Sequence, residues 1–182
     1  MENTAATSED LRFPLGRFAK PETVTEEMRA GYIETIRRLP RALAAAVENL
    51  SDEQLDTPYR PGGWTVRQTV HHVADSHLNS LCRFKLALTE ENPTIRPYAE
   101  DRWAELADSR LPIATSLQII EGVHARWAAL LDAMTDDDFA RTLVHPESGA
   151  WTLDKMLALY DWHSRHHTAH INTLRERSGW QR

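Results

Sequence analysis

What most restricts the fold of this chain is the reach of its helical periodicity. Apolar residues recur at three- and four-residue spacing through four long stretches, while the strict alternation of a half-buried strand is scarce. The first stretch runs from about Thr25 to Leu50. Pro40 falls inside it, so two helical pieces, EEMRAGYIETIRR and RALAAAVENL, are expected rather than one rod. The second starts at Thr65-Val66-Arg67-Gln68, which has the form of a capping box, and continues to about Leu88. The third spans roughly Ile113 to Met134, and the fourth runs from about Thr152 to Gly179, a natural helix stop. Between them, PYRPGG and ENPTIRP read as loops, residues 98–107 as a short helix, and HPESG as a turn or small hairpin. The expectation is an all-α four-helix bundle, one domain over residues 1–182. Its long connection from about 89 to 112 can carry the chain across the bundle, so simple up-down-up-down order does not follow.

A weak internal echo accompanies this pattern. Ser51-Asp52-Glu53-Gln54-Leu55 leads through a loop to Trp64-Thr65, and Thr135-Asp136-Asp137-Asp138-Phe139 leads through another to Trp151-Thr152. A structural repeat and mere reuse of N-cap chemistry explain it equally well.

Composition removes several function classes. The net charge is −6 with no block of Lys or Arg, so nucleic acid has no electrostatic footprint to bind. No apolar run approaches a membrane span, and the opening MENTAATSED lacks the basic-then-apolar order of a signal peptide. A lone cysteine, Cys82, rules out an internal disulfide framework and cysteine-based zinc clusters, and is expected to be a packed thiol. A cytoplasmic protein is the default expectation. There is no Ser-His-Asp signature, phosphate-binding glycine loop or dinucleotide fingerprint.

The chemistry-bearing feature is WHSRHHTAH, residues 162–170, with four histidines in nine positions. On a wheel at about 100° per residue, Leu153, Met156, Tyr160, Ile171 and Leu174 form one stripe. His167 lies near its centre and His163 at its shoulder, so this i, i+4 pair points inward and can share an ion. Hydrogen-bonded core histidines are an equally good reading of that pair alone. His166 and His170 fall further round, toward solvent or a neighbouring subunit. In HHVADSH on the second helix, His77 lies on the apolar stripe and His72 nearly opposite, so periodicity alone favours His77 as a third ligand.

The segments PYRPGGWTVRQTVHHVADSHLNSLCRFKLALTEENPTIRPY and LYDWHSRHHTAHINTLRERSGW, with FPLGRF and SDEQLDT, resemble the DinB superfamily, and more closely its YfiT-like branch, described as metal-dependent hydrolases. The resemblance spans nearly the whole chain. It implies a four-helix bundle with a mononuclear three-histidine site for one divalent metal. In the family pattern the first ligand follows the tryptophan by eight residues, which from Trp64 gives His72; the other two carry over to His163 and His167. His77 and His170 then become candidates for lining the pocket or supporting the ligands, and His71 the fallback if the register is off by one.

Three neutral nitrogen ligands leave a divalent ion an open position, the arrangement of catalytic zinc; nickel suits imidazole as well. Such an ion can lower the pKa of bound water or deprotonate an incoming thiol. The family implies both chemistries: a hydrolase acting on a small-molecule substrate through water, or an S-transferase using a low-molecular-weight thiol such as bacillithiol. It also implies pairing into a homodimer. A non-catalytic interaction bundle with a structural metal is the third reading; it predicts a closed site, perhaps filled by His77 or His170. Arg67, Arg83, Arg96 and Arg165 are candidates for holding a charged thiol, and Asp75, Glu121, Asp161 and His124 for a general base, though surface positions are favoured for most of them. Trp64 and Trp151 are expected to staple the chain to the helix starts, and Trp127 and Trp162 to make core or dimer contacts.

Overall fold

A computed structural model describes residues 11–180; the opening MENTAATSED lies outside them. Four long helices carry the structure: α1 (Glu26–Val47), α3 (Val66–Thr89), α5 (Ala114–Asp132) and α7 (Leu153–Ser178). Short helices α2 (Asp52–Leu55), α4 (Glu100–Trp103) and α6 (Asp136–Ala140) lie in the connections, with a 3₁₀ turn at Ala107–Arg110 and a hairpin of β1 (Thr142–His145) and β2 (Gly149–Thr152). The hairpin is antiparallel, with Leu143 opposite Trp151, and occupies the HPESG segment.

The helix starts follow side-chain chemistry. Thr65 Oγ1 accepts from the Gln68 amide at 3.1 Å, and the Thr65 amide donates to Gln68 Oε1 at 3.0 Å. Both halves of the expected box are made, satisfying two donors the first turn of α3 would leave orphaned. Thr65→Ala is expected to cost about 1 kcal/mol, read as a melting point lower by roughly 2–4 °C. Gly179 ends α7 at φ 67°, the left-handed cap that glycine adopts without strain.

The echo is built on one plan. Ser51 and Thr135 each close a capping box on a short helix, and Thr65 and Thr152 each cap a long one. Between cap and cap, a single antiparallel bridge joins Pro58 and Thr65 in the first segment, and β1 pairs with β2 in the second.

Pro40 does not divide the first helix. α1 is continuous from Glu26 to Val47, held by the burial of Ile36, Leu39, Leu43, Ala46 and Val47. Proline lacks the N–H that would bond the carbonyl four residues back. That carbonyl, of Ile36, takes another donor: His124 Nδ1 on α5, 2.5 Å away.

Each long helix packs on two others, α1 and α3 both against α5 and α7. Two apolar clusters fill the bundle. One contains Phe84, Trp127 and Leu157; the other Leu43, Val70, Ile120 and Ile171. α1 and α7 enter the first cluster before the second, whereas α3 and α5 do the reverse. The long helices therefore run up, down, down, up. The consecutive long helices α3 and α5 are parallel neighbours, which demands a return path the length of the bundle. The expected crossover supplies it, anchored to the hairpin where the Ile95 amide donates to Val144 O and the Val144 amide to Pro93 O. Histidines mark the junction of the two clusters: His77 falls between Ala74 and Leu81, and His163 and His167 between Tyr160 and Ile171. Among the described residues, no helix is long and apolar enough to cross a membrane.

Candidate metal centre

α7 presents His163 and His167 from successive turns, and antiparallel α3 brings His72 against them. Nε2 of His72 lies 3.2 Å from Nε2 of His163. One ring nitrogen from each of His72, His163 and His167 lies within 4.8 Å of the others, the one such group of three or more His, Cys, Asp or Glu among the described residues. Two nitrogens at about 2.0–2.1 Å from one tetrahedral zinc ion are about 3.3 Å apart, so the spacing suits a shared cation. The donor set, three imidazoles without a carboxylate or thiolate, fits zinc or nickel and not calcium or magnesium.

The three rings line a cavity of about 780 Å³. Trp64 is a wall of it, its ring 4.5 Å from that of His72 and 6.3 Å from that of His167. The tryptophan that precedes the helix start therefore packs on a histidine about two turns along the same helix.

His166 and His170 do not face solvent as the wheel has them. Both are buried and line the cavity. The cause is the segment before α1, which lies over this side of α7. Arg12 O accepts from His170 Nε2 at 3.0 Å, the Phe13 ring lies 6.0 Å from that of His166, and Gly16 O accepts from Trp162 Nε1 at 3.2 Å. Tyr59 stacks on His170 at 3.9 Å and Trp162 on His166 at 4.1 Å.

His77, fully buried, turns its nitrogens away from the cavity: Nε2 is 3.0 Å from His163 Nδ1, and Nδ1 is 2.9 Å from His124 Nε2. Stripe and motif were thus reporting different faces of a helix buried on two sides. His71 belongs to neither; it bonds Ser116 Oγ at 2.7 Å and Leu111 O at 3.0 Å. Of the sequence-picked arginines, Arg83 lines the cavity and Arg96 does not, while Arg67 is held by Asp52 and Asp56, and Arg165 by Asp161. Asp75, Glu121 and Asp161 are not among the lining residues, and His124 is buried behind His77. Cys82 is exposed on α3, not packed. Trp127 is in the core. The sequence reading missed Arg12, Phe13, Tyr59, Arg60, Tyr98, Arg102 and Tyr160 as lining groups. Four of them, Arg12, Phe13, Tyr59 and Arg60, fall outside the periodic segments of the sequence, where helical periodicity says nothing.

Burial keeps these rings neutral. It pushes His72 down to about 4, helped by nearby His170, and holds His163, His167 and His77 well below the ordinary imidazole value. His166 falls to about 3 and His170 to about 4 for the same first reason. A neutral imidazole has one nitrogen lone pair to give, so the cluster is poised for a cation rather than for protons.

Comparison with known proteins agrees with this geometry. The family model of the DinB superfamily matches residues 35–171. A Bacillus mycoides (strain KBAB4) protein named "Putative metal-dependent hydrolase" is 55% identical over 171 residues, covering 94% of this chain and 99% of its own. A protein of the same name from Bacillus cereus (strain 03BB102) is 54% identical with the same coverage. A solved structure superposes with a TM-score of 0.92 at 49% identity, covering 94% of this chain and 99% of its own; it is described as "YfiT from Bacillus subtilis is a probable metal-dependent hydrolase with an unusual four-helix bundle topology". By motif, topology and extent of match, the chain belongs to the DinB superfamily.

Proposed function

We propose that His72, His163 and His167 hold one divalent cation, zinc or nickel, and that the protein is a metal-dependent hydrolase of a small-molecule substrate. The observation that carries this reading is the convergence of three neutral imidazoles on one side of an accessible cavity. Such a cation supplies Lewis-acid activation of water. The chain's own residues do the rest. Trp64 fixes the ring of His72 by packing on it, and Tyr160 closes the cavity beside His163, its hydroxyl donating to Ser76 O at 3.1 Å. Arg12, Arg60, Arg83 and Arg102 line the cavity, against the carboxylates Glu100, Asp101 and Glu147. The arginines favour a substrate with an anionic group, which they can orient over the histidines. His77 occupies Nδ1 of His163 instead of entering the cluster, so the closed site of a purely structural metal is disfavoured.

The same arginines support a second reading, an S-transferase that holds a charged low-molecular-weight thiol. One experiment separates the two. A panel of esters and amides is assayed with and without bacillithiol, on protein loaded with zinc or nickel and on protein stripped by chelator. Turnover without thiol that vanishes on stripping and returns on reloading is the expected result. Turnover only with thiol sinks the hydrolase reading, and turnover that survives stripping sinks both.

A further inference from the structure

A chain of hydrogen bonds runs from the cavity to the backbone of α1, and its far end fixes the state of its near end. Ile36 O can only accept. Because residue 40 is proline, the α-helical donor to that carbonyl is missing, and His124 Nδ1 at 2.5 Å supplies the proton. A neutral His124 then has a lone pair on Nε2, so the 2.9 Å contact there must be donated by Nδ1–H of His77. That leaves a lone pair on His77 Nε2, and the 3.0 Å contact there must be donated by Nδ1–H of His163. The last nitrogen in the series is His163 Nε2, the atom that faces His72 at 3.2 Å. It has no proton left to carry.

We infer that Pro40, His124 and His77 form a positioning relay that locks His163 in the Nδ1–H tautomer and so holds its Nε2 lone pair ready for a cation. The links lie on four helices. Ile36 is on α1, His124 on α5, His77 on α3 and His163 on α7, and His77 and Ile36 are fully buried. Buried imidazoles without such partners would leave polar atoms unmet, and either tautomer would serve. A single directional chain ending on a carbonyl removes the choice. Neither His77 nor His124 touches the cavity, so both act through His163.

The inference rests on the metal-site reading above, and its test does not depend on turnover. Histidine-labelled, metal-free protein is examined by two-bond ¹H–¹⁵N correlation NMR. His124, His77 and His163 are all expected as Nδ1–H tautomers; an Nε2–H His163 overturns the relay, whether or not the protein binds metal. Zinc affinity is then measured by chelator competition. His77→Phe, which removes the partner of His163, is expected to weaken zinc binding about 10- to 100-fold. His124→Gln can still donate to Ile36 O and accept from His77, and is expected to stay within about threefold of wild type, while His124→Leu loses more. Zinc affinity unchanged in His77→Phe overturns the relay, as does His124→Gln losing as much as His124→Leu. Wild-type protein that binds no zinc or nickel defeats the metal-site reading, and the tautomer measurement still decides the relay.

Discussion

Reloaded and dialysed wild-type protein is expected to carry about one zinc or nickel ion per chain, and His72→Ala, His163→Ala and His167→Ala to carry almost none. Each alanine removes one of three nitrogens that lie within 4.8 Å of one another. Two imidazoles do not hold an ion against a chelator as three do, so the loss in affinity is expected to exceed about 100-fold, the upper end of what an outer partner costs. Elemental analysis of the four proteins after equal dialysis checks it. His71→Ala is the control, since His71 is engaged with Ser116 and Leu111 away from the cluster, and it should retain its ion. Metal retained by His167→Ala, or lost by His71→Ala, would refute the ligand set.

The second large effect is on stability and pH. Burial lowers His72, His124 and His170 to about 4 and His166 to about 3, while in the unfolded chain each titrates near 6.5. Above that value neither state binds the proton and these groups contribute nothing. As pH falls below about 6.5, the unfolded chain takes up protons that the folded one refuses, so stability is lost until the folded values are reached. Asp75 opposes this. Burial and nearby Asp108 raise it to about 6, so the folded state binds its proton first and gains stability as pH falls toward the unfolded carboxylate value. The lowered histidines, His163, His167 and His77 among them, outnumber the raised carboxyls Asp75 and Glu100, so the net effect is a loss of stability. Each net proton is worth about 1.4 kcal/mol per pH unit, or roughly 3–5 °C for a chain of this size. Metal-free protein should therefore show a flat melting temperature from pH 7 to 8 and a steep fall below 6, followed by calorimetry or circular dichroism. A melting temperature constant down to pH 5 would show that these rings are not held neutral.

Where local chemistry decides, the sequence was legible. Thr65-Val66-Arg67-Gln68 states its own capping box, Gly179 its own stop, and the crossover follows from a connection too long for a turn. The reading failed where distant parts of the chain meet. Pro40 looked like a break because a wheel cannot see the His124 side chain arriving to satisfy Ile36 O. His166 and His170 looked exposed because residues 12–16, which carry no helical period, fold over them. His72 and His77 looked like rivals because one stripe was assumed for a helix with two buried faces. Each ring has a different task in a different direction. Three of the four cavity arginines were invisible for a similar reason: Arg12, Arg60 and Arg102 lie outside the four long helices, whereas Arg83 on α3 was among the candidates.

The up-down-down-up order also governs the sequence of events at the ribosome. Chains emerge N-terminus first. α7, which follows the other three long helices, supplies two of the three clustered histidines and packs along both α1 and α3. Until it is synthesised, Val70, Val73 and Phe84 lack one of the helices that cover them, and His72 has no partner within reach. Before α7 emerges, the nascent chain therefore has an open apolar seam and lacks two of the three clustered histidines, and α7 supplies both at once.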